Sequence, residues 1–127
     1  MILFAPLLVA ASTPDYLGYM ERLEPYAELV TSVASCRNMG FVFDDKKGVA
    51  VGERLIADAI KDGIDRATAM RLLNSVVDEE KGDMAYLAEQ VDAKDAKAVE
   101  EFLDYWEARC LNVFRNYHED GTVSYGD

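Results

Sequence analysis

Apolar side chains recur at steps of three and four along most of this chain, and that period constrains its fold more than any other feature. Tyr16, Met20, Leu23, Tyr26, Val30, Val33 and Cys36 form one stripe, and Met70, Leu73 and Val77 a second. Val99, Phe102, Leu103, Trp106, Cys110, Val113 and Tyr117 form a third, with Glu100, Glu101, Asp104 and Glu107 opposite them. Each stripe reads as the inward face of an amphipathic helix. No stretch alternates cleanly over four or more positions. The predicted fold class is therefore all-α, a single-domain bundle of four to five helices over residues 13–118, with one candidate disulfide staple. A chain of 127 residues buries roughly two-thirds of its unfolded surface, enough for a core without metals.

Local punctuation places the helix ends. Thr13 can cap a first helix with Pro14 in its first turn, and Gly40 lies past its end. Pro25 lacks an N–H and clashes with the Glu21 carbonyl, so a kink or a restart is expected there. Phe41-Val42-Phe43 reads as a short extended stretch, too brief to found a sheet, and residues 44–48 as a turn. A second helix is expected from Val49 to Asp62, with Leu55, Ile56, Ala59 and Ile60 inward and Gly63 ending it. Asp65 can cap a third, with a break at Gly82 and a short fourth helix capped by Asp83 and continuing the phase through Met84, Leu87 and Val91. The last helix begins after Asp92 or Asp95, and Gly121 lies beyond it. Residues 119–127 read as a flexible acidic tail.

Residues 1–12 are an apolar run ending in small side chains, the length of a signal-peptide core and too short to span a bilayer. No Lys or Arg precedes Arg22. Two readings stand: a secretory signal peptide, or an apolar N-terminal segment that docks on the body. Cys36 and Cys110, both on inward stripes, are a disulfide candidate. Their bond would close a loop of about 75 residues, stabilise the fold by roughly 4 kcal/mol, and require an oxidising compartment. The alternative is two buried thiols in a reducing cytoplasm.

Charge bears on partners. The chain carries 24 acidic and 13 basic side chains, a formal net charge of -11. Residues 1–40, 41–91 and 92–127 carry -2, -4 and -5, so no third of the chain is basic. Such a field repels nucleic acid and anionic lipid and favours a partner protein with a basic surface. Tyr19, Tyr86 and Tyr105 fall off the stripes, where exposed rings would offer contact area at low entropic cost. A catalytic constellation is not found. His118 is the only histidine, no GxSxG or CxxC occurs, and Glu79-Glu80 and Glu100-Glu101 read as solvated helix faces. No enzyme activity and no cofactor are expected.

Two further patterns define candidate sites. From Asn116 to Asp127 the chain resembles a degenerate EF-hand loop, with Asn116, Asp120 and Asp127 in the first, fifth and twelfth places as weak metal candidates. His118 takes the third place and Asp127 stands where a bidentate Glu is usual. From Leu55 to Leu73, Ala59, Gly63, Ile64 and the helix opening at Asp65 resemble the helix-turn-helix of bacterial repressors, including the LacI type. That resemblance implies base-reading roles for Arg66, Thr68 and Arg71. It covers about 20 residues, has Ala69 where repressors often carry Ile or Val, and sits among Asp62, Asp65 and Asp78. The leading expectation is a periplasmic or secreted helical protein-binding module, inhibitor-like, immunity-like or chaperone-like, with no membrane span in its mature chain. In composition it is similar to the small acid-stress chaperones of the bacterial periplasm. The alternative is a cytoplasmic helix-turn-helix DNA-binding regulator.

Overall fold

Four aspartates open the four helices of the described residues. Asp15 Oδ1 accepts from the Gly18 N–H at 2.8 Å, Asp44 from Lys47 at 3.1 Å and Asp65 from Thr68 at 3.1 Å. Asp95 accepts from both Lys97 and Ala98. Each carboxylate satisfies an N–H that has no partner inside its helix and sits at the positive end of the helix dipole. The computed structural model describes residues 13–126. Its elements are α1 (Tyr16–Asn38), β1 (Phe41–Phe43), α2 (Asp45–Lys61), α3 (Arg66–Glu89), α4 (Ala96–Tyr117) and β2 (Val123–Tyr125). None of these helices is long and apolar enough to cross a membrane.

Helix α1 is the hub. It packs on α2, α3, α4 and β1, while α3 and α4 each lie along α1 and meet one another only sparsely. Because α1 is covered from several sides, its buried residues, Tyr19, Leu23, Ala27, Leu29, Ser32 and Cys36, wrap around it. The predicted stripe is therefore only partly right: Leu23 and Cys36 are buried, but Tyr16 is exposed. Tyr19, expected on the surface, is fully buried, and its hydroxyl donates to the Ala69 carbonyl at 2.9 Å. Tyr86 and Tyr105 do face solvent. Tyr19→Phe removes one buried hydrogen bond and leaves the Ala69 oxygen short of a donor. It is expected to cost about 1–1.5 kcal/mol in urea unfolding. A loss below about 0.3 kcal/mol would show that the hydroxyl adds nothing to stability.

The core has two parts. Tyr19, Leu23, Ile56, Ala59, Ile64 and Ala69 join α1 to the α2–α3 corner. Leu29, Cys36, Phe41, Phe43, Trp106, Cys110, Val113 and Val123 join α1 to α4 and the strands. In the second part Cys36 and Cys110 lie at disulfide-bonding distance, with their Cα atoms 5.6 Å apart. The α2–α3 corner turns at Gly63, whose φ of +95° only glycine adopts readily. The Ile64 N–H reaches the Ala59 carbonyl and the Gly63 N–H that of Ile60, a Schellman closure of α2.

Several boundaries differ from expectation. The run read as a turn at residues 44–48 is the first turn of α2, because Asp44 caps it. Asp15, rather than Thr13, caps α1. Helix α1 continues through Pro25, which lies on an exposed face where the Glu21 carbonyl, deprived of its donor, reaches water. Helix α3 runs through Gly82 with no fourth short helix. An exposed helical glycine costs only about 1 kcal/mol, and Met84 beyond it packs against the Trp106 cluster. Leu103 and Ile60, predicted inward, are exposed.

The tail folds back onto the body. Strands β1 and β2 pair antiparallel, with Phe41 opposite Tyr125 and Phe43 opposite Val123. The Asp44 N–H donates to the Thr122 carbonyl and the Gly126 N–H to that of Gly40. Thr122 and Val123 are buried, and the Tyr125 ring stacks on Phe41 at 4.7 Å. Residues 119–126 are thus a turn and the short strand β2, which caps the second core, rather than a loose tail. The reading of residues 1–12 as a signal or docking segment lies outside the described residues.

Candidate functional site

The divergence of α3 and α4 over α1 opens a cleft of about 520 Å³. Its floor is Met20, Glu21, Glu24, Pro25 and Glu28 of α1, and its walls include Glu79, Glu80 and Asp83 of α3 and Asn112 and Asn116 of α4. Glu21, Glu24 and Glu28 fall on one helix face at steps of three and four, as do Glu79, Glu80 and Asp83 on theirs. Six carboxylates therefore look into one space.

One cation answers them. Arg109, on α4, is 7% exposed, and its guanidinium spans all three helices. Its Nη2 lies 2.9 Å from Glu80 Oε1 and its Nη1 3.6 Å from Glu28 Oε2. Its Nε donates to Ser32 Oγ at 2.7 Å and its Nη2 to Thr31 Oγ1 at 2.9 Å. The guanidinium carbon also stands 5.5 Å from the Trp106 ring centre, a cation–π geometry. Asn112 donates to the other Glu28 oxygen at 2.7 Å. Among the described residues, Glu21, Glu24, Glu79 and Asp83 have no ion pair, so the cleft retains a strong negative field.

Behind its α4 wall the same environment acts on Tyr117. Burial first, then Tyr26, Asp120 and Glu28, push its phenol up to about 12. Burial, and then Glu53, likewise raises Tyr26.

The corner read as a helix-turn-helix places Arg66, Thr68 and Arg71 on the exposed start of α3. Arg66 Nη2 pairs with Glu53 at 3.2 Å and Arg71 Nη2 contacts the Thr68 hydroxyl at 3.3 Å. That hydroxyl donates to Asp65, and the Thr68 hydrogen bonds hold the Asp65 carboxyl below its ordinary range. Of the three residues of the EF-hand resemblance, the structure describes Asn116 and Asp120. Asn116 sits in the last turn of α4, and Asp120 accepts from the Thr122 N–H and faces Arg54 at 3.8 Å. Asp127 lies outside the described residues. Among the described residues no group of three or more His, Cys, Asp or Glu side chains is arranged to hold a metal ion. His118 is exposed, stacked on Phe114 at 4.8 Å.

Arg109, Glu28 and Glu80 escape a sequence reading, because an arginine next to Cys110 reads as solvated flank. The available signal was its position three after Trp106, within the inward arc of α4.

No family model, curated protein or solved structure matches this chain. The cleft is therefore read from its own chemistry.

Proposed function

We propose that the protein is an exported helical binding module that occupies a basic surface of a partner protein with the cleft between α1, α3 and α4. The observation that carries this reading is the set of unpaired carboxylates, Glu21, Glu24, Glu79 and Asp83, facing one solvent-open space beside a guanidinium already held by Glu28 and Glu80. A cationic side chain entering there meets charge on two walls, and electrostatic complementarity of this kind speeds association and selects partners by sign. The commitment of Arg66 to Glu53 and of Arg71 to Thr68 favours a protein partner over a duplex. The Cys36–Cys110 geometry is compatible with a periplasmic or secreted location.

The test is a calorimetric titration of the full chain with an arginine-rich peptide. Glu24→Lys combined with Glu79→Lys is expected to weaken binding by roughly ten- to a hundred-fold, and raised salt to weaken the wild type steeply. Unchanged affinity in the double variant, or binding indifferent to salt, would remove the cleft from the function. Export has its own readout: a mature N-terminus near Ser12 or Thr13 and a mass gain of two hydrogens on reduction.

A further inference from the structure

Helix α4 has a second solvent-facing side. Counting 100° per residue, Leu103, Asp104, Glu107 and Leu111 centre roughly 145° around the axis from Asn112 and Asn116, which wall the acidic cleft. Between these four residues and the ribbon lies a shallow groove of about 590 Å³, completed by Met39, Phe41 and Tyr125. Leu103, Leu111 and Tyr125 are 53%, 44% and 62% exposed, apolar surface that solvation disfavours. The floor is fixed: Phe41 is buried beneath Tyr125, and Met39 Sδ lies 3.8 Å from Cys110 Sγ, against the bridging pair. The rim is acidic. Among the described residues neither Asp104 nor Glu107 has an ion pair, and both stand between the two leucines.

We propose that this groove docks a segment of another protein that carries apolar anchors flanked by Lys or Arg. Leucine or aromatic anchors fill the space over Met39 and Phe41, while a cation beside them finds Asp104 and Glu107. The rim decides the occupant. A second copy of this chain would bring its own -11 charge to the contact, and an anionic membrane would meet the same carboxylates. A surface already held by buried packing binds with little ordering cost, which suits a docking face. The groove is separate from the acidic cleft, and the inference stands whether or not the cleft binds a partner.

The experiment titrates the ¹⁵N-labelled, oxidised full chain with a synthetic amphipathic peptide bearing leucines at helical spacing and lysines beside them. Expected are saturable shifts centred on Met39, Leu103, Glu107, Leu111 and Tyr125. Leu103→Ser with Leu111→Ser is expected to weaken binding at least about ten-fold with an unchanged circular dichroism spectrum. Glu107→Lys, outside the core, supplies a second variant expected to weaken it about five-fold should the first not fold. A peptide with glutamates in place of lysines is expected not to bind. Shifts confined to Glu21, Glu24, Glu79 and Asp83, equal binding of the glutamate peptide, or affinity unmoved by the variants would overturn the proposal. So would a dimer in sedimentation that Glu107→Lys disperses, since the occupant would then be a second copy.

Discussion

Reduction of the oxidised chain is expected to lower its melting temperature by roughly 15–20 °C. Cys36 and Cys110 are separated by 74 residues, and a cross-link across that distance removes about 4.5 kcal/mol of loop entropy from the unfolded ensemble in the chain-entropy model. The Cα atoms stand 5.6 Å apart, inside the range such bonds normally span. Both residues are buried, at 0% and 1% exposure, so a reductant reaches them only when α1 and α4 separate. Reduction should accordingly be slow in the native state and fast in urea. Cys36→Ala with Cys110→Ala should reproduce the loss without reductant. Thermal unfolding of oxidised, reduced and double-variant chains checks the first and last of these statements, and a time course of thiol release with and without urea checks the second. A shift below about 5 °C in the reduced and double-variant chains would mean that helix packing alone sets stability.

Arg109→Ala is expected to cost about 3 kcal/mol in urea unfolding. The change has three parts. Ser32, fully buried, loses the donor to its hydroxyl; Trp106 loses the guanidinium over its ring; and Glu28 and Glu80 lose their shared cation. The carboxylates contribute least, since Glu28 and Glu80 keep 23% and 27% of their side-chain surface in water and rehydrate. Arg109→Lys should recover only part of the loss, because an ammonium cannot reach Ser32, Thr31 and two carboxylates as a planar fork does. Glu80→Gln should cost under about 1 kcal/mol. Trp106, the only tryptophan, makes fluorescence a direct monitor. Equal stability of the Arg109→Ala chain would show that the network is dispensable to the fold.

The helical period was legible because it is local. Asp65 as a cap, Gly63 as a stop and the inward arc of α4 around Trp106, Cys110 and Val113 all follow from neighbours in sequence. Their shared inward phase made Cys36 and Cys110 a candidate pair, and the packing of α1 on α4 is what brings them to bonding distance. Helix α1 was harder, since a helix packed from several sides has no single stripe, and small residues such as Ala27 and Ser32 mark its contacts more faithfully than large ones. The ribbon was half legible: Phe41–Phe43 read as extended but too brief to found a sheet, whereas β2 and its pairing with β1 were missed. Its strands are three residues each and some eighty positions apart, too short for alternation to register. The cleft was hidden: Glu79 and Glu80 read as a solvated face, and nothing local shows that the divergence of α3 from α4 turns them toward Glu21, Glu24 and Glu28 of α1.

Oxidation of the Cys36–Cys110 pair has a mechanical corollary. With Cys36 joined to Cys110, tension applied between residues 13 and 126 can draw out only the stretches outside the bond, about 40 residues or roughly 140 Å of extended chain. Helices α2 and α3 lie wholly within the closed loop and bear no load. The cleft, by contrast, has its floor on the part of α1 outside that loop, so pulling would dismantle it while the α2–α3 corner stayed folded or unfolded on its own account.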